Sequence, residues 1–172
     1  MKTRLIALVM VFVLVGALTA CGLEVQRPEV KEGRFDIAIT YEIGGEVKTL
    51  NAVYVCEFDG ASWTLEGGYY SRDWKAHTEG DYEGDNNSAI IGRTEDGGEI
   101  VIFFGLYPEY FMGDPETGDM GIPTPELYVS FDEGNDSYSF ISDPAEIYER
   151  YGVKLISYEY ASPIENTFGL FK

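Results

Sequence analysis

The chain has 172 residues, with 12 Lys and Arg against 30 Asp and Glu, and its formal net charge is −18. This length predicts a single domain, and the 45% of hydrophobic residues is enough for a core, which argues against disorder of the whole chain. Because nucleic acids require Lys and Arg to neutralise their phosphates, the composition excludes nucleic-acid binding as a function.

The first twenty residues have the charge pattern of an export signal. Lys2 and Arg4 precede an uncharged, mostly apolar run from Leu5 to Ala20. As a helix this run would rise about 24 Å, which is shorter than the hydrocarbon core of a bilayer at about 30 Å. We therefore interpret residues 1–20 as a cleaved signal rather than a permanent span. Their removal changes the net charge from −18 to −20, since both cations are lost.

The apolar run ends in Leu18-Thr19-Ala20-Cys21. This segment resembles the lipobox of bacterial lipoproteins, in which Leu, a small residue and Gly or Ala precede a Cys. The resemblance implies cleavage between Ala20 and Cys21, a diacylglyceryl group on the Cys21 thiol, and an extracytoplasmic domain anchored to the bacterial membrane. Two acyl chains give the stable anchoring that one chain does not. The resemblance covers residues 1–21 only, and an ordinary secretory signal with Cys21 near its cleavage point is the alternative.

Residues 22–33 are polar, contain Pro28 and have no sustained apolar period. They are predicted to form, with Cys21, a lipidated N-terminus and tether over residues 21–33, followed by one β-rich globular domain over residues 34–172. If Cys21 is acylated, Cys56 has no cysteine partner and is predicted to be a buried structural thiol.

Strict alternation begins after Arg34, where the apolar positions are Phe35, Ile37, Ile39, Tyr41 and Ile43. This pattern predicts a half-buried strand, and Gly44-Gly45 predicts a two-residue hairpin turn. The predicted cross-strand pairs are Ile43 with Glu46, Ile39 with Leu50, Ile37 with Ala52, and Phe35 with Tyr54.

A second two-residue turn is predicted at Asp59-Gly60. It would pair Phe58 with Ala61, Cys56 with Trp63, and Tyr54 with Leu65. Both registers place the same apolar residues on one face, so the sequence predicts a three-stranded meander with a single core face.

The rest of the chain adds strands and one helix. A central strand is predicted over 99–107, a hairpin over 126–131 and 137–141, and a last strand over 153–160. The helix, at about residues 144–151, has Asp143 as its cap, Pro144 at its first position and Gly152 as its stop. Its predicted buried stripe consists of Ile147, Tyr148 and Tyr151. The fold class is mainly β, an antiparallel meander or sandwich-like sheet with this short helix packed on it.

No catalytic residue is predicted. His77 is the only histidine, which disfavours zinc and iron sites built from imidazoles, and no Ser has a nucleophile-elbow setting. No metal ligand set and no cofactor are predicted. A structural calcium ion is the alternative at Asp81, Glu83 and Asp85, although this run lacks the Gly and Glu that an EF-hand loop needs.

The segment 107–125 is a long connection without a regular pattern, and such connections are often functional. Its candidate partner-binding residues are Tyr107, Tyr110, Phe111, Met112 and Asp114. The alternative is that Phe111 and Met112 pack under the loop as a small core.

Tyr69, Tyr70 and Trp74 form a candidate aromatic patch near Arg72 and Lys75. Exposed aromatic rings could stack on sugars or anchor a protein, although a Tyr-rich sheet face is the commoner explanation.

The leading functional hypothesis is a membrane-anchored lipoprotein that acts without catalysis as a binding or accessory domain at the cell envelope, with an envelope protein or a glycan as partner. A carbohydrate-binding module that uses Tyr69, Tyr70, Trp74 or Tyr110 is the first alternative. A small carboxylate-dependent hydrolase is the second, since two facing carboxylates can hydrolyse a glycoside.

Overall fold

The computed structural model describes residues 26–64, 69–115, 121–134 and 137–169. The predicted signal peptide, its cleavage point and Cys21 lie outside the described residues. The elements are β1 (Arg27–Pro28), β2 (Glu32–Ile43), β3 (Glu46–Thr64), β4 (Tyr69–Glu79), β5 (Glu83–Asp85), β6 (Ser88–Arg93), β7 (Glu99–Phe103), α1 (Pro108–Phe111), β8 (Glu126–Gly134), β9 (Ser137–Ile141), α2 (Pro144–Tyr151), β10 (Val153–Tyr160) and β11 (Phe168–Gly169).

Two antiparallel sheets contain most of these strands. The first sheet has the order β10-β2-β3-β4, and the second has the order β5-β6-β7-β8-β9. Strands β1 and β11 form a separate pair. The predicted fold class, mainly β with a short helix, is confirmed.

The core lies between the inner faces of the two sheets. From the first sheet it takes alternate residues of β2 and β3, and from the second it takes alternate residues of β6, β7 and β8. The Tyr160 hydroxyl donates to the Phe104 carbonyl at 2.7 Å and so links the last strand of the first sheet to the segment after β7. The fully or nearly fully buried members are Phe35, Ile37, Ile39, Tyr54, Cys56, Ala89, Ile100, Ile102, Phe104, Phe111, Met112, Val129, Ile147 and Val153.

The register of the first hairpin is confirmed at every predicted pair. Ile43 lies opposite Glu46, and the pairing continues to Phe35 opposite Tyr54. Gly44 and Gly45 both have positive φ, as a two-residue turn of this kind requires.

The second predicted turn is wrong. β3 continues through Asp59-Gly60 to Thr64 and pairs with β4, so that Cys56 lies opposite Ala76 and Tyr54 opposite Thr78. Gly60 has φ of 115°, at a point where the β3–β4 register shifts by one residue. The glycine therefore serves a β-bulge, which uses the same conformational freedom as a turn without reversing the chain. Leu65, another predicted core residue, lies outside the described residues.

Later elements follow the prediction closely. β8 and β9 pair as a hairpin, and β10 spans the predicted last strand. β7 is the middle strand of its sheet, but it ends at Phe103 instead of residue 107. The Asp143 side chain accepts from the Glu146 backbone N–H at 2.8 Å, and Gly152 ends α2 in the left-handed region.

The predicted buried stripe of α2 needs one correction. Ile147 is fully buried, and Tyr151 is half-buried against the core, but Tyr148 is exposed. The Lys154 ammonium group lies 4.8 Å from the centre of the Tyr148 ring, so this ring faces a cation of β10 instead of entering the core.

The predicted tether is also too long. Pro28 is buried, Arg27 and Pro28 pair with β11, and β2 already begins at Glu32. The chain from Arg27 onwards therefore belongs to the fold. The prediction was wrong because polar composition alone does not show that a short strand has a partner far along the chain.

Candidate functional site

The segment after β7 places its largest side chains in the core. Phe111 and Met112 are fully buried, and the Phe111 ring lies 5.0 Å from the Phe35 ring and 5.4 Å from the Tyr54 ring. The four-residue helix α1 is what turns Phe111 inward. Phe111 and Met112 therefore pack under the loop, as the alternative interpretation predicted, and they offer no surface to a partner.

Asp114, from the same segment, forms a buried ion pair with Arg72 of β4. The Arg72 Nε donates to Asp114 Oδ2 at 2.7 Å and Nη2 donates to Oδ1 at 2.5 Å, while the two side chains are 5% and 0% exposed. The Trp74 indole N–H donates to Asp114 Oδ2 at 2.9 Å. Three charge-assisted hydrogen bonds therefore compensate the burial of this carboxylate.

The same arginine contacts both ends of the described chain. Arg72 Nη1 donates to the Gln26 carbonyl at 3.2 Å, and the guanidinium lies 4.6 Å from the centre of the Phe168 ring. We call Arg72, Trp74, Asp114, Gln26 and Phe168 the Arg72 cluster. Its charged groups are paired inside the protein, so the cluster has a structural role. It connects β4, the segment after α1 and the two terminal segments.

Asn166 reinforces this connection. Its side-chain oxygen accepts from the Val30 N–H at 3.0 Å, and its amide group donates to the Val30 carbonyl at 2.9 Å and the Met112 carbonyl at 3.1 Å. The segment that follows the predicted anchor is thus held by both backbone and side-chain hydrogen bonds.

The remaining predicted aromatic residues are only partly available. Tyr107 and Tyr110 are half-buried and meet edge to face at 6.0 Å, and the Tyr107 hydroxyl donates to the Gly121 carbonyl. Trp74 is half-buried with its N–H directed at Asp114, which leaves it poorly suited to stacking on a sugar. The side chains of Tyr69 and Tyr70 lie outside the described part of the structure.

A different set of aromatic residues lies on the outer face of the second sheet, where two are exposed and one is half-buried. In β8 the inward residues are Leu127 and Val129, so alternation directs Tyr128 outward. Phe140 and Tyr138 of β9 pair with outward residues of β8 and share this face. We call Tyr128, Tyr138 and Phe140 the aromatic face.

The three rings form one contiguous surface. Tyr138 is 56% exposed and Phe140 is 61% exposed, and their rings are nearly parallel, 26° apart with centres 6.5 Å from each other. Tyr128 meets Phe140 edge to face at 5.7 Å. Because these large apolar groups stay exposed after folding and cluster on one outer sheet face, the aromatic face is a candidate contact surface.

Carboxylates surround the aromatic face. Glu126 and Asp132 are exposed and lie on β8 at outward positions. The pKa of Tyr128 is raised, mainly by burial and to a smaller extent by the nearby charge of Asp85. Glu83 and Glu99 accept from Arg93 at 2.5 and 3.1 Å, and the hydrogen bond from Arg93 lowers the pKa of Glu83. The surroundings of the face are therefore negatively charged at neutral pH.

The outer face of the first sheet has a different character. Its groove of about 670 Å³ is lined by Asp36, Asn51, Glu79 and Glu159 with Ala38 among them. Arg34 donates to both oxygens of Glu79, at 3.3 and 2.6 Å, and this hydrogen bonding lowers the pKa of Glu79. A general acid for glycoside hydrolysis needs a raised pKa, so Glu79 is unsuited to that role.

Cys56 is fully buried with a free thiol, and burial raises its pKa to about 12. Such a thiol is not a nucleophile at neutral pH. Among the described residues no three His, Cys, Asp or Glu side chains are placed to share a metal ion. No helix within the same residues is long and apolar enough to cross a membrane.

Comparison with known proteins gives no match to any family model, to any curated protein or to any solved structure. The candidate site therefore depends on the geometry of this chain. The aromatic face was not among the predicted sites, although its signal is present in the sequence: in the predicted hairpin strands, Tyr128, Tyr138 and Phe140 alternate with Leu127, Val129 and Ile141.

Proposed function

We propose that this protein is a lipid-anchored, extracytoplasmic binding domain that acts without catalysis and engages an envelope protein through the aromatic face. The observation that carries the proposal is the contiguous set of rings on an outer sheet face, formed by the exposed Tyr138 and Phe140 and the half-buried Tyr128. The lipobox-like segment Leu18 to Cys21 supports the anchor. Tyr and Phe are typical of the centres of protein interfaces, where they bury a large area at low entropic cost.

Charge defines the chemistry of the partner. Glu126 and Asp132 border the rings, and the whole chain carries a net charge of −18. A partner surface with an apolar centre and a basic rim would complement this arrangement, and its binding should weaken as salt increases.

A glycan is the second candidate partner, and one observation favours it. The nearly parallel Tyr138 and Phe140 rings, 6.5 Å apart, resemble a platform on which sugar rings could stack, with carboxylates beside them to accept hydrogen bonds from sugar hydroxyl groups. This candidate keeps the carbohydrate-binding alternative of the sequence analysis but moves it to other residues.

Site-specific crosslinking in the native envelope tests the proposal. A photoreactive amino acid replaces Phe140, and the matched control carries it at Val47, which is 63% exposed on the first sheet. We expect a protein adduct from position 140, lost at high salt, and none from position 47. Adducts of equal yield from both positions, or none from position 140, would contradict the proposed face, whereas an adduct to polysaccharide would favour the glycan.

The anchor has its own test. The native protein and a Cys21→Ala variant are compared by intact mass and by partitioning into detergent. Cleavage before Cys21, added acyl mass and partitioning into detergent are expected for the native protein, and the variant should carry no acyl mass.

A further inference from the structure

Strand β9 lies at an accessible edge of the second sheet. It pairs with β8 on one side, and among the described residues no strand pairs with its other side. Alternate residues of β9 therefore direct backbone N–H and C=O groups away from the sheet, where another strand can bind them. Three of its five residues are exposed and the other two are half-buried, so a second molecule can reach this edge.

The other three edge strands of the two sheets carry charges. β5 contains Glu83 and Asp85, β10 contains Lys154 and Glu159, and four of the eleven residues of β4 are charged. β10 also has a register shift between Leu155 and Ser157. Charged side chains and bulges are the usual means by which proteins prevent pairing at a sheet edge. β9, with the sequence Ser-Tyr-Ser-Phe-Ile, has neither a charge nor a bulge of its own.

The absence of charge in β9 favours a second copy of this chain as the molecule that pairs with it. The chain has a net charge of −18, so most surfaces of two copies repel each other. At β9 two copies can approach without placing like charges directly opposite each other. A basic strand of another protein would gain no charge pair from the residues of β9.

The sequence of β9 is also suited to antiparallel pairing with itself. If the pair is centred on Ser139, all five residues are paired, with Tyr138 opposite Phe140 of the second copy and Ser137 opposite Ile141 of the second copy. A centre at a neighbouring residue pairs fewer residues, and a shift of one position would bring outward rings against inward residues. Aromatic residues that lie opposite each other on one face stabilise a pair of strands.

From this edge we infer that two copies of the protein pair through β9, antiparallel and centred on Ser139, so that their five-stranded sheets form one continuous sheet. The contact is the same on both copies and closes after two. It goes beyond the proposed function, because it uses the backbone edge of β9 and brings the aromatic faces of two copies side by side.

The contact is short, and this determines how it has to be measured. Five residues of a strand span about 17 Å, less than a stable interface usually needs, so the pair should be weak in dilute solution. Under the proposed anchor, both copies lie on one membrane, which raises their effective concentration. A covalent trap in the envelope is therefore the suitable measurement.

Cysteine substitution at Ser139 supplies this trap. Residues directly opposite each other in antiparallel strands have Cα atoms about 4.5 to 5.5 Å apart, which a disulfide can join. The matched control is Ser137→Cys on the same strand. In the inferred pair the two copies of residue 137 are four positions apart, about 13 Å along the strand, which a disulfide cannot span. Ser137 is exposed and Ser139 is half-buried, so random collisions would favour the control.

The full-length variants are produced in the bacterial envelope, oxidised, and separated without reduction. We expect Ser139→Cys to give a disulfide-linked product of twice the monomer mass, in a yield at least about tenfold above that of Ser137→Cys. Cys56 should not react, because it is fully buried and burial raises its pKa to about 12. Equal yields from the two variants, or no such product from Ser139→Cys, would overturn the inference. A product of another mass would also overturn it, and would show that a different protein occupies the edge.

The unsubstituted protein separates this inference from the proposed anchor. If Cys21 is acylated, the unsubstituted protein should give no disulfide-linked product. Such a product would indicate a free Cys21 thiol and would count against the anchor alone, since the excess of Ser139→Cys over Ser137→Cys would still decide the pairing.

A charge placed on the edge provides a second measurement. Adding Tyr138→Glu to Ser139→Cys brings two carboxylates close together across the inferred pair, and we expect the yield of the disulfide to fall about tenfold. The matched control adds Val47→Glu to Ser139→Cys, which introduces the same charge at a position that is 63% exposed on the first sheet, and should keep the yield. An unchanged yield with Tyr138→Glu, or an equal fall with Val47→Glu, would overturn the inference.

Discussion

The Arg72 cluster and the aromatic face contain the same kinds of side chain but differ in burial and in pairing. Both combine aromatic rings with carboxylates, yet Asp114 is 3% exposed and Phe140 is 61% exposed. In the cluster the carboxylate accepts internal hydrogen bonds from Arg72 and Trp74. In the face the rings contact one another, and those of Tyr138 and Phe140 are exposed. The difference teaches that composition cannot separate a structural cluster from a binding surface, whereas burial and pairing can.

Asp114→Ala should produce the largest effect on stability. It leaves the buried Arg72 guanidinium without its carboxylate, and such a loss costs about 3–5 kcal/mol in the free energy of unfolding. Urea unfolding followed by Trp fluorescence measures it, with Asp114→Asn as the control that keeps the shape and hydrogen-bond acceptor. An unchanged midpoint for Asp114→Ala would contradict the structural role of the cluster.

Trp74→Phe should have an intermediate effect. It keeps an aromatic ring beside Phe58, which the Trp74 ring meets at 5.4 Å, and removes only the indole donor to Asp114. Loss of one charge-assisted hydrogen bond predicts a decrease of about 1–2 kcal/mol in the free energy of unfolding. The same urea titration checks this value, and a loss as large as that of Asp114→Ala would mean that the ring, not the donor, stabilises the cluster.

The double variant Tyr138→Thr with Phe140→Thr should lose binding while it keeps its stability. Both residues are exposed and Thr is well accepted in strands, so the unfolding free energy should change by no more than about 0.5 kcal/mol. Binding to the partner found by crosslinking should fall at least about tenfold, as for central aromatic residues of interfaces. If the double variant is much less stable but still binds the partner, these rings have a structural role like that of the Arg72 cluster.

Glu79→Gln should have the smallest effect, because it tests a two-bond ion pair that is exposed to solvent, unlike the buried pair of Arg72 and Asp114. The Glu79 and Arg34 side chains are about half exposed. Hydrogen bonding from Arg34 lowers the pKa of Glu79 below its ordinary 4.5, so the contribution of this pair is present at neutral pH and is lost as the pH falls through the lowered pKa. Urea midpoints of the variant and the unsubstituted protein should differ slightly at neutral pH and converge in acid. A difference between the two urea midpoints that increases in acid would contradict the predicted direction of this pH dependence.

Sequence reasoning succeeded where a local feature determines the structure. Gly44 and Gly45 determine a two-residue turn, which sets every pair from Ile43 to Phe35. Asp143, Pro144 and Gly152 determine the limits of α2 in the same way. Asp59-Gly60 offers the same local chemistry but lies in a bulge, because the alternative pairing of β3 with β4 is longer.

The candidate site could not be predicted in the same way. Asp114 and Arg72 are 42 positions apart, and nothing local shows that they meet in the interior. The alternation around Tyr128 and Phe140 does indicate a common face, but only the pairing of β7 with β8 shows which face covers the core. Local turns and apolar alternation are therefore easier to predict from this sequence than long-range polar contacts or the face that the second sheet exposes.

The pairing of β1 with β11 has a consequence for the order of folding. Val30 and Asn166, which hydrogen-bond beside this pair, are separated by 136 positions in the chain. Contacts of such long separation form after local hairpins, since the closure of a long loop costs entropy that short loops avoid. Strand β1 must therefore wait until Phe168 and Gly169 are available to pair with it. Under the proposed anchor, this delay is the interval in which an enzyme that acylates Cys21, or cleaves the chain before it, could act before β1 is fixed in the fold.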